Sequence, residues 1–399
     1  MLLLATLWAC ATPSASEPPT PAVPTEAPEP APPPPAPEPE PVVQEFVLVG
    51  VGDVLPHRRV KATARAHGWA TVFADVAPLV SKADLGFANL ESPVAPDHHQ
   101  GVHGEVFNAP ADLLPALADA GFDVLSMANN HAYDQGAAGM METHQRVIDA
   151  GMTPVGAGPS CDAARAVAVR EVGELKVGFL AAADLVNIDG NRGPTEPCVF
   201  WAGAVCTGDC GPDRDAIHFS LDEQRLTEAV RAARQQVDLL VMSFHWGDEY
   251  RTTPLPEYPR IATRLTDEGV DVLLGHHPHV LQPIEERTTA RGTPAVVAYS
   301  LGNFVSDMGS RFDPATAPTS RGHTRDGLAL KLVARFVDGE LTALTPEPVP
   351  LWTENNRLVQ GDDPDRVVVR RVDALPEPLG PQRRAAIEAV LNPGRPAAD

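Results

Sequence analysis

The chain is short of positive charge: its 399 residues contain 31 Lys and Arg against 53 Asp and Glu, a formal net charge of −22. Proteins that bind nucleic acid need a basic face for the phosphates, so this composition argues against a nucleic-acid partner. The deficit is most marked in residues 11–41, which hold 14 prolines and five glutamates but no Lys or Arg. Such a segment cannot form a packed core, and we expect a disordered tether.

The N-terminus lacks an apolar run long enough to cross a membrane. Residues 1–9 are apolar and are followed by Cys10, but a spanning helix takes about 20 residues. No basic residue precedes the run, although signal peptides usually have one. The segment Leu7-Trp8-Ala9-Cys10 resembles a bacterial lipobox and a tether follows it. We therefore expect residues 1–9 to be a lipoprotein signal peptide and Cys10 to be lipidated, an ordinary signal peptide being the alternative.

These features predict an exported protein that is lipid-anchored in the cell envelope, with residues 10–44 as the lipidated cysteine and its linker. By analogy with lipoprotein sorting, Ala11 after the cysteine favours the periplasmic side of the outer membrane in a cell with two membranes.

Cysteine is also scarce. Four remain after Cys10, namely Cys161, Cys198, Cys206 and Cys210. An even number in an exported chain allows up to two disulfides with three connectivities. The last three lie close together, so a zinc knuckle is the alternative, but their spacing fits no common zinc pattern and we favour disulfides.

No fixed-period repeat, Gly-x-Ser-x-Gly elbow or P-loop lysine motif is present, so serine-hydrolase and nucleotide-kinase functions lack their usual signatures. Strand and helix patterns alternate instead, which predicts an α/β sandwich over residues 45–350. Residues 351–399 are expected to form a C-terminal extension with a short helix. We further expect Asn108 to cap a helix that runs to Ala120, and Ser220 and Glu223 to form a capping box.

Polar clusters follow several predicted buried strands, at the edge where open α/β sheets bind ligands. They comprise Asp53 with His57, Asn89 with Glu91, Asn130 with His131, His245, and His276-His277-Pro278-His279. Taken singly, an Asp or Asn could be a cap and His245 a buried histidine with a satisfied hydrogen bond. Three imidazoles after one buried strand, however, have little structural purpose.

Carboxylate, amide and imidazole ligands together suit a pair of divalent first-row ions, Mn, Fe or Zn. A carboxylate such as Asp53 or Glu91 can bridge two cations, and imidazoles complete the coordination without adding negative charge. Two such ions activate a shared water and hold the oxygens of a displacement at phosphorus. The residues therefore indicate a metal-dependent phosphoester hydrolase.

Seven ordered segments resemble the bacterial CapA family, the capsule and poly-γ-glutamate synthesis proteins. They are Val-Gly-Asp-Val-Leu (51–55), Ala-Asn-Leu-Glu-Ser-Pro (88–93), Phe-Asn-Ala-Pro-Ala-Asp-Leu-Leu (107–114), Ala-Gly-Phe-Asp-Val-Leu-Ser-Met-Ala-Asn-Asn-His-Ala-Tyr-Asp (120–134), Phe-His-Trp-Gly-Asp-Glu-Tyr (244–250), Gly-His-His-Pro-His-Val-Leu-Gln (275–282) and Tyr-Ser-Leu-Gly-Asn-Phe-Val (299–305). The resemblance covers about residues 47–307. It implies a four-layer αββα sandwich of the metallo-dependent phosphatase type, with a metal centre at the strand ends.

Carried over residue by residue, the resemblance also implies roles. The implied metal ligands are Asp53, Glu91, Asn130, His245, His277 and His279. Glu91 takes the place of a bridging acid that is usually Asp, and His131 becomes the candidate general acid. His57 follows Asp53 by four residues rather than two, and His276 competes with His277 because an extra residue separates Gly275 from the His-x-His pair, so both stay as further candidates.

Two residues are expected to contact substrate: Asn303 would position it, and Arg325 would neutralise its negative charge, with a surface salt bridge as the alternative for Arg325. The leading hypothesis is an envelope-anchored, metal-dependent phosphoesterase-like hydrolase in capsule or poly-γ-glutamate synthesis. Its partners would be an anionic cell-surface polymer or a phosphoester, the membrane, and a membrane-bound synthase complex. The alternatives are a non-catalytic accessory subunit and an enzyme that cleaves or transfers amide-linked polymer.

Overall fold

Apolar runs of the sequence form the strands of two sheets. The structure, a computed structural model, describes residue 16 and residues 40–101, 104, 106–187, 190–203, 221–313, 315–355 and 366–393. In chain order the strands are β1 (Val43–Val54), β2 (Leu85–Leu90), β3 (Val124–Ser126), β4 (Thr153–Val155), β5 (Ala157–Gly158), β6 (Ala168–Val172), β7 (Leu175–Ala183), β8 (Cys198–Val199), β9 (Leu239–His245), β10 (Val272–His276), β11 (Ile284–Thr288), β12 (Pro294–Ala298), β13 (Asn303–Val305), β14 (Asp326–Val337), β15 (Glu340–Asn355) and β16 (Val367–Arg371).

Helices connect many of these strands. In chain order they are α1 (Arg58–His67), α2 (Trp69–Val72), α3 (Ala77–Val80), α4 (Leu113–Asp119), α5 (Gly136–Asp149), α6 (Cys161–Arg165), α7 (Glu223–Arg234), α8 (Tyr258–Glu268) and α9 (Leu379–Leu391), with short 3-10 helices at Thr319–Arg325 and Val372–Ala374. In the described ranges, none of the helices is long and apolar enough to cross a membrane.

The first sheet is mixed and has the strand order β16-β15-β14-β1-β2-β3-β4. Antiparallel pairing of β14 with β1 stops at Val51, and the short strand β13 pairs in parallel with the remaining end of β1. That exchange of partners brings Asn303 next to Asp53. Gly52 is needed for this close approach, because a Cβ atom there would lie 1.9 Å from the Gly302 carbonyl oxygen.

The second sheet is also mixed, in the order β11-β12-β10-β9-β7-β6. Strands β7, β9, β10 and β12 run parallel, and β6 and β11 pair antiparallel at the edges. The sequence-based prediction of a hairpin ending at Ala183 is confirmed by β6 and β7, and the hairpin around Gly339 is confirmed by β14 and β15.

The two sheets face each other across one apolar core, in which the rings of Phe87 and Phe179 stack at 6.1 Å between centroids. Helices α7 and α8 cover the other face of the second sheet through residues such as Val230 and Leu265. At the C-terminal side, β16 pairs with β15, and α9 adds Ile387 to the central core. The fold is therefore a mixed α/β fold with two mixed sheets.

Two predicted helix starts are wrong. Asn108 caps no helix: its side chain accepts a hydrogen bond from Ala95 N and donates one to Ala95 O, both at 2.9 Å, and α4 begins at Leu113. A short polar side chain can bond to distant backbone as readily as to the next turn, and the sequence does not show which it does. Helix α7 is capped by Asp222, which accepts from Arg225 N, rather than by the predicted box. Ser220 lies outside the described residues.

A disulfide joins Cys161 and Cys198. It connects α6 to β8, which pairs with β5 in a small two-stranded sheet. Cys198 belongs to the apolar cluster that also contains Val230 of α7 and Leu265 of α8. Cys206 and Cys210 lie outside the described residues, as do Cys10 and nearly all of the predicted tether.

Candidate metal centre

The carboxyl ends of the first sheet contribute acidic and amide side chains. Asp53, the last residue but one of β1, lies in register with Asn89 of β2 on one side and Asn303 of β13 on the other. Glu91 follows β2 directly, and Asn130 lies just after β3. All five side chains are buried. Parallel strands end at one edge, so apolar strand interiors carry these polar residues to one place.

The second sheet contributes the histidines. His245 and His276 end β9 and β10 in register with each other, and the turn after β10 carries His277 and His279. Both turn residues have positive φ, 93° and 54°. Non-glycine residues rarely adopt this conformation, which is costly and is concentrated at functional sites. The turn reverses the chain so that both imidazoles approach the carboxylates of the first sheet.

Two sets of ligand atoms overlap at Glu91. One set is Glu91, His245 and His277, the other is Asp53, Glu91 and His279, and within each set the atoms lie within 4.8 Å of one another. Glu91 belongs to both sets, as a bridging carboxylate would. Among the described residues His57 and His276 join neither set.

Several polar atoms in these two sets lack hydrogen-bond partners in the described part of the chain, as expected of atoms that bind divalent ions. Within the described ranges, both Glu91 carboxylate oxygens and His277 Nδ1 are buried and have no hydrogen-bond partner. His245 Nε2 and His279 Nε2 lie 3.4 and 3.6 Å from Glu91 Oε1. A buried polar group without a partner costs about 1–3 kcal/mol, and such groups are rare in folded proteins. A bound cation would satisfy all of these atoms at once, so the residues fit the metal centre that the sequence predicts.

The ligand candidates are also oriented by neighbouring polar groups. Asn89 Nδ2 donates to Asp53 Oδ1 at 2.9 Å and lies 3.3 Å from His245 Nδ1. On the other side of the ring, His245 Nε2 is 2.9 Å from Asn130 Oδ1, so the amide oxygen of Asn130 converges with the imidazole. His279 Nδ1 lies 3.2 Å from Asp53 Oδ2. Such outer hydrogen bonds fix the rings of metal-binding histidines.

Protonation states suit a cation as well. Burial opposes ionisation of Asp53, but hydrogen bonds from His276 and His279 outweigh it and hold the pKa of that carboxyl well below its usual range. Burial, followed by the Asp53 charge, raises the pKa of Glu91 well above its ordinary value. Burial lowers the pKa of His277 to about 3, which keeps its imidazole neutral. Metals bind deprotonated ligands, so a cation would be needed to hold Glu91 ionised here.

His131 follows the ligand candidate Asn130 in the chain, and its ring has a fixed orientation. Its Nδ1 atom is 2.8 Å from Asp134 Oδ2, and its ring packs edge-on against Phe107, with 4.6 Å between centroids. Sequence reasoning assigned no role to Asp134, although the His-x-x-Asp spacing was a signal that could have identified it. The pair leaves Nε2 as the ring atom with which His131 could exchange a proton.

His57 and Arg325 differ from their expected positions. His57 Nδ1 faces Asp307, 3.7 Å from Oδ1, and the ring lies against Phe107. Arg325 is 5% exposed; its guanidinium lies 4.3 Å from the Trp352 ring centroid and donates to Thr353 O at 2.7 Å. It forms no ion pair with any residue that the structure describes, and its burial makes it unavailable as a surface anion contact.

Asn303 is held from both sides. Its Oδ1 lies 3.1 Å from His279 Nδ1, and its Nδ2 donates to Thr324 O at 3.0 Å. In the structure it supports a ligand candidate and does not face open solvent, being 1% exposed.

Asp184 fixes the turn after β9. Its N–H donates to His245 O at 3.0 Å, and its Oδ2 accepts from Gly247 N at 2.9 Å and from the Tyr258 hydroxyl at 2.7 Å. Burial raises the pKa of this carboxyl to about 7, against the opposing hydrogen bond from Tyr258. Nothing in the local sequence pattern distinguishes Asp184 from a turn residue, and sequence reasoning missed it.

A comparison with protein families decides the assignment. Residues 47–308 match the model of the family described as "Bacterial capsule synthesis protein PGA_cap". This protein belongs to that family.

Sequence relatives agree with this family assignment. The chain is 30% identical over 320 residues to a capsule biosynthesis protein CapA from Bacillus anthracis, covering 79% of this chain and 72% of the relative. It is also 30% identical over 262 residues to the PGA biosynthesis protein CapA of Bacillus subtilis (strain 168), covering 65% of this chain and 63% of the relative. Among solved structures, a 5'-nucleotidase precursor from Thermus thermophilus aligns with 14% identity and a TM-score of 0.41 over 86% of this chain and 58% of that one.

Proposed function

We propose that this protein is a divalent-metal-dependent phosphoesterase-like hydrolase in capsule or poly-γ-glutamate synthesis. The observation that carries the proposal is Glu91: a buried carboxylate without a hydrogen-bond partner, shared by two sets of ligand atoms. The nearest imidazole nitrogens, of His245 and His279, lie 3.4 and 3.6 Å from Glu91 Oε1. Contacts of that length offset only part of the cost of burying a carboxylate, and a bound cation would offset the rest. The family resemblance of the seven sequence segments implies the four-layer αββα sandwich of the metallo-dependent phosphatases, and this implication supports the same chemistry.

Residue roles follow from the geometry. Asp53, Glu91 and His279 would hold one ion, and Glu91, His245 and His277 the other, with the Asn130 oxygen beside His245. When bound, such ions would polarise phosphoryl oxygens and activate a water. His131, held by Asp134, would donate a proton from Nε2 to the departing oxygen. Asn303 would keep His279 in place rather than contact substrate.

The cellular setting is part of the proposal. The CapA relatives are named for capsule and PGA synthesis, which supports an anionic cell-surface polymer or a phosphoester precursor as the substrate. We place the protein in the cell envelope, anchored through a lipid on Cys10 and working beside a membrane-bound synthase. The tether of residues 11–41 would give the metal centre reach of up to about 100 Å from the lipid if fully extended.

Metal analysis of the purified full chain, together with a panel of phosphomonoesters and phosphodiesters, tests the proposal. We expect divalent ions to co-purify or to bind the stripped protein, and hydrolysis of at least one ester to depend on them. Glu91→Gln should lose both properties. Glu174→Gln is the matched control, because Glu174 is an exposed residue of the turn between β6 and β7.

Two results would overturn the enzyme assignment: no divalent ion binds the wild-type chain, or Glu91→Gln binds and hydrolyses like Glu174→Gln. If, in addition, a His277→Ala/His279→Ala variant changes nothing in vivo, the pocket has no metal-dependent role. A variant that binds metal normally and still abolishes polymer formation without loss of hydrolysis would instead support an accessory role in the synthase complex.

A further inference from the structure

Glu249 lies in the loop after β9, in a segment whose backbone turns sharply. Gly247 has a φ of 94° and Tyr250 a φ of 65°. Between them, a carboxylate oxygen of Glu249 approaches ring nitrogens of His277 and His279, and these three atoms lie within 4.8 Å of one another. Glu249 itself is exposed, whereas both histidines are buried. The carboxylate therefore reaches the candidate metal centre from the solvent side.

The backbone of this loop is fixed against the histidine turn. Tyr250 N donates to Pro278 O at 2.8 Å, and Gln282 Nε2 donates to Arg251 O at 2.8 Å. Pro278 lies between the two histidines, so the first of these bonds ties the residue after Glu249 to the turn that carries them. Ordering an exposed glutamate costs both backbone and side-chain entropy. Here the two hydrogen bonds already fix the backbone, so only the side-chain entropy remains to be lost.

Charge at this position points to a cation. Among the described residues Glu249 forms no ion pair with Lys or Arg, whereas its neighbour Asp248 lies 3.8 Å from Arg251. The sets Asp53, Glu91, His279 and Glu249, His277, His279 share His279, so three carboxylates lie around one small region. His277, whose Nδ1 atom is buried and has no hydrogen-bond partner among the described residues, belongs to the same set as Glu249.

We infer that Glu249 is an additional metal ligand, which binds from the solvent side together with His277 and His279. The inference rests on the proposed metal centre and extends it. Of the two sets that share Glu91, one contains His277 and the other His279. Glu249 therefore borders both candidate ion positions. Glu249 lies in the segment Phe-His-Trp-Gly-Asp-Glu-Tyr (244–250). The sequence alone assigns it no role, because an acidic loop residue ordinarily forms part of a solvated surface.

Titration of the metal-stripped full chain with Mn²⁺, followed by calorimetry and by the electron paramagnetic resonance signal of free Mn²⁺, tests this role without any enzyme assay. We compare wild type, Glu249→Gln and Asp248→Asn. The control removes the same charge from the adjacent exposed residue. We expect Glu249→Gln to raise at least one dissociation constant about tenfold or more, the range seen when support of a metal site is lost, and Asp248→Asn to stay within about twofold of wild type.

The outcomes separate the two proposals. If wild type binds Mn²⁺ and Glu249→Gln binds it as tightly as Asp248→Asn does, the inference is wrong while the metal centre stands. If wild type binds no divalent ion, the proposed function fails and takes the inference with it. A Glu249→Asp variant that binds Mn²⁺ more tightly than Glu249→Gln would support direct ligation, since Asp keeps a carboxylate at this position and Gln does not. Melting temperatures of the stripped variants should be equal, because both side chains are exposed.

Discussion

Arg383 and Asp326 form an ion pair with almost no solvent contact, each being 1% exposed. Arg383 Nε donates to Asp326 Oδ1 at 2.9 Å, Nη2 donates to Oδ2, and Nη1 donates to Thr319 O at 2.9 Å. The guanidinium also lies 4.9 Å from the centroid of the Trp352 ring. This pair joins α9 to the start of β14, and we expect the Arg383→Met variant to break it.

The expected cost follows from the carboxylate that is left behind. Asp326 would stay buried with its main partner removed, and breaking a buried pair on one side costs about 3–5 kcal/mol. Since folded domains are stable by about 5–15 kcal/mol, Arg383→Met should lose a large share of the free energy of unfolding. The double variant Asp326→Asn/Arg383→Met should recover part of it, because the carboxylate that Arg383→Met leaves without its partner is then absent.

Urea denaturation followed by tryptophan fluorescence measures the effect, with Trp352 as a reporter next to the substitution. Arg384→Met is the matched control: the neighbouring arginine is exposed, and its loss should change the free energy of unfolding by less than about 0.5 kcal/mol. A loss below about 1 kcal/mol for Arg383→Met, or equal losses for the two arginines, would refute the reasoning.

Two further predictions concern stability. The Cys161–Cys198 disulfide encloses a sequence separation of 37 residues, so Cys161→Ser/Cys198→Ser should lower the free energy of unfolding by about 3–4 kcal/mol; an unchanged urea midpoint would contradict this. Asp184 has a pKa raised from 3.8 to about 7, so its contribution to stability is complete below pH 3.8 and is lost as the pH rises through 7. In metal-stripped protein the stability of Asp184→Asn relative to wild type should therefore rise by up to about 4 kcal/mol between about pH 4 and 8, and a pH-independent difference would exclude that role.

The positions of the polar residues at the strand ends could be predicted, because the pattern that marks a buried strand is local in the sequence. Buried strands have continuous apolar sequences, parallel strands end at one edge, and Asp53, Glu91, His245, His277 and His279 each follow or end such a strand. The convergence of these residues agrees with what the pattern implied, and the bridging role of Glu91 stays a prediction.

Side chains whose partners are distant in sequence were not predictable. Asn108 bonds to Ala95 instead of starting a helix, Arg325 stacks on Trp352, and Glu249 reaches histidines about 30 residues further on. Each residue type has an ordinary local role, and only the tertiary arrangement selects the other one. Strand β16 is a similar case, because its edge position depends on pairing with β15.

The division of ligand candidates between the sheets has a mechanical consequence. Asp53 and Glu91 belong to the first sheet, whereas His245, His277 and His279 belong to the second. Any ion bound there would be held by residues of both sheets. Occupancy of the metal site and separation of the sheets would therefore be thermodynamically linked. Ligand at about 100 times its dissociation constant stabilises the bound state by about 2.7 kcal/mol, and this gain would oppose specifically those opening motions that part the sheets. Amide hydrogen exchange at the ends of β1 and β10 would then slow with metal, while exchange in the hairpin of β14 and β15 would not.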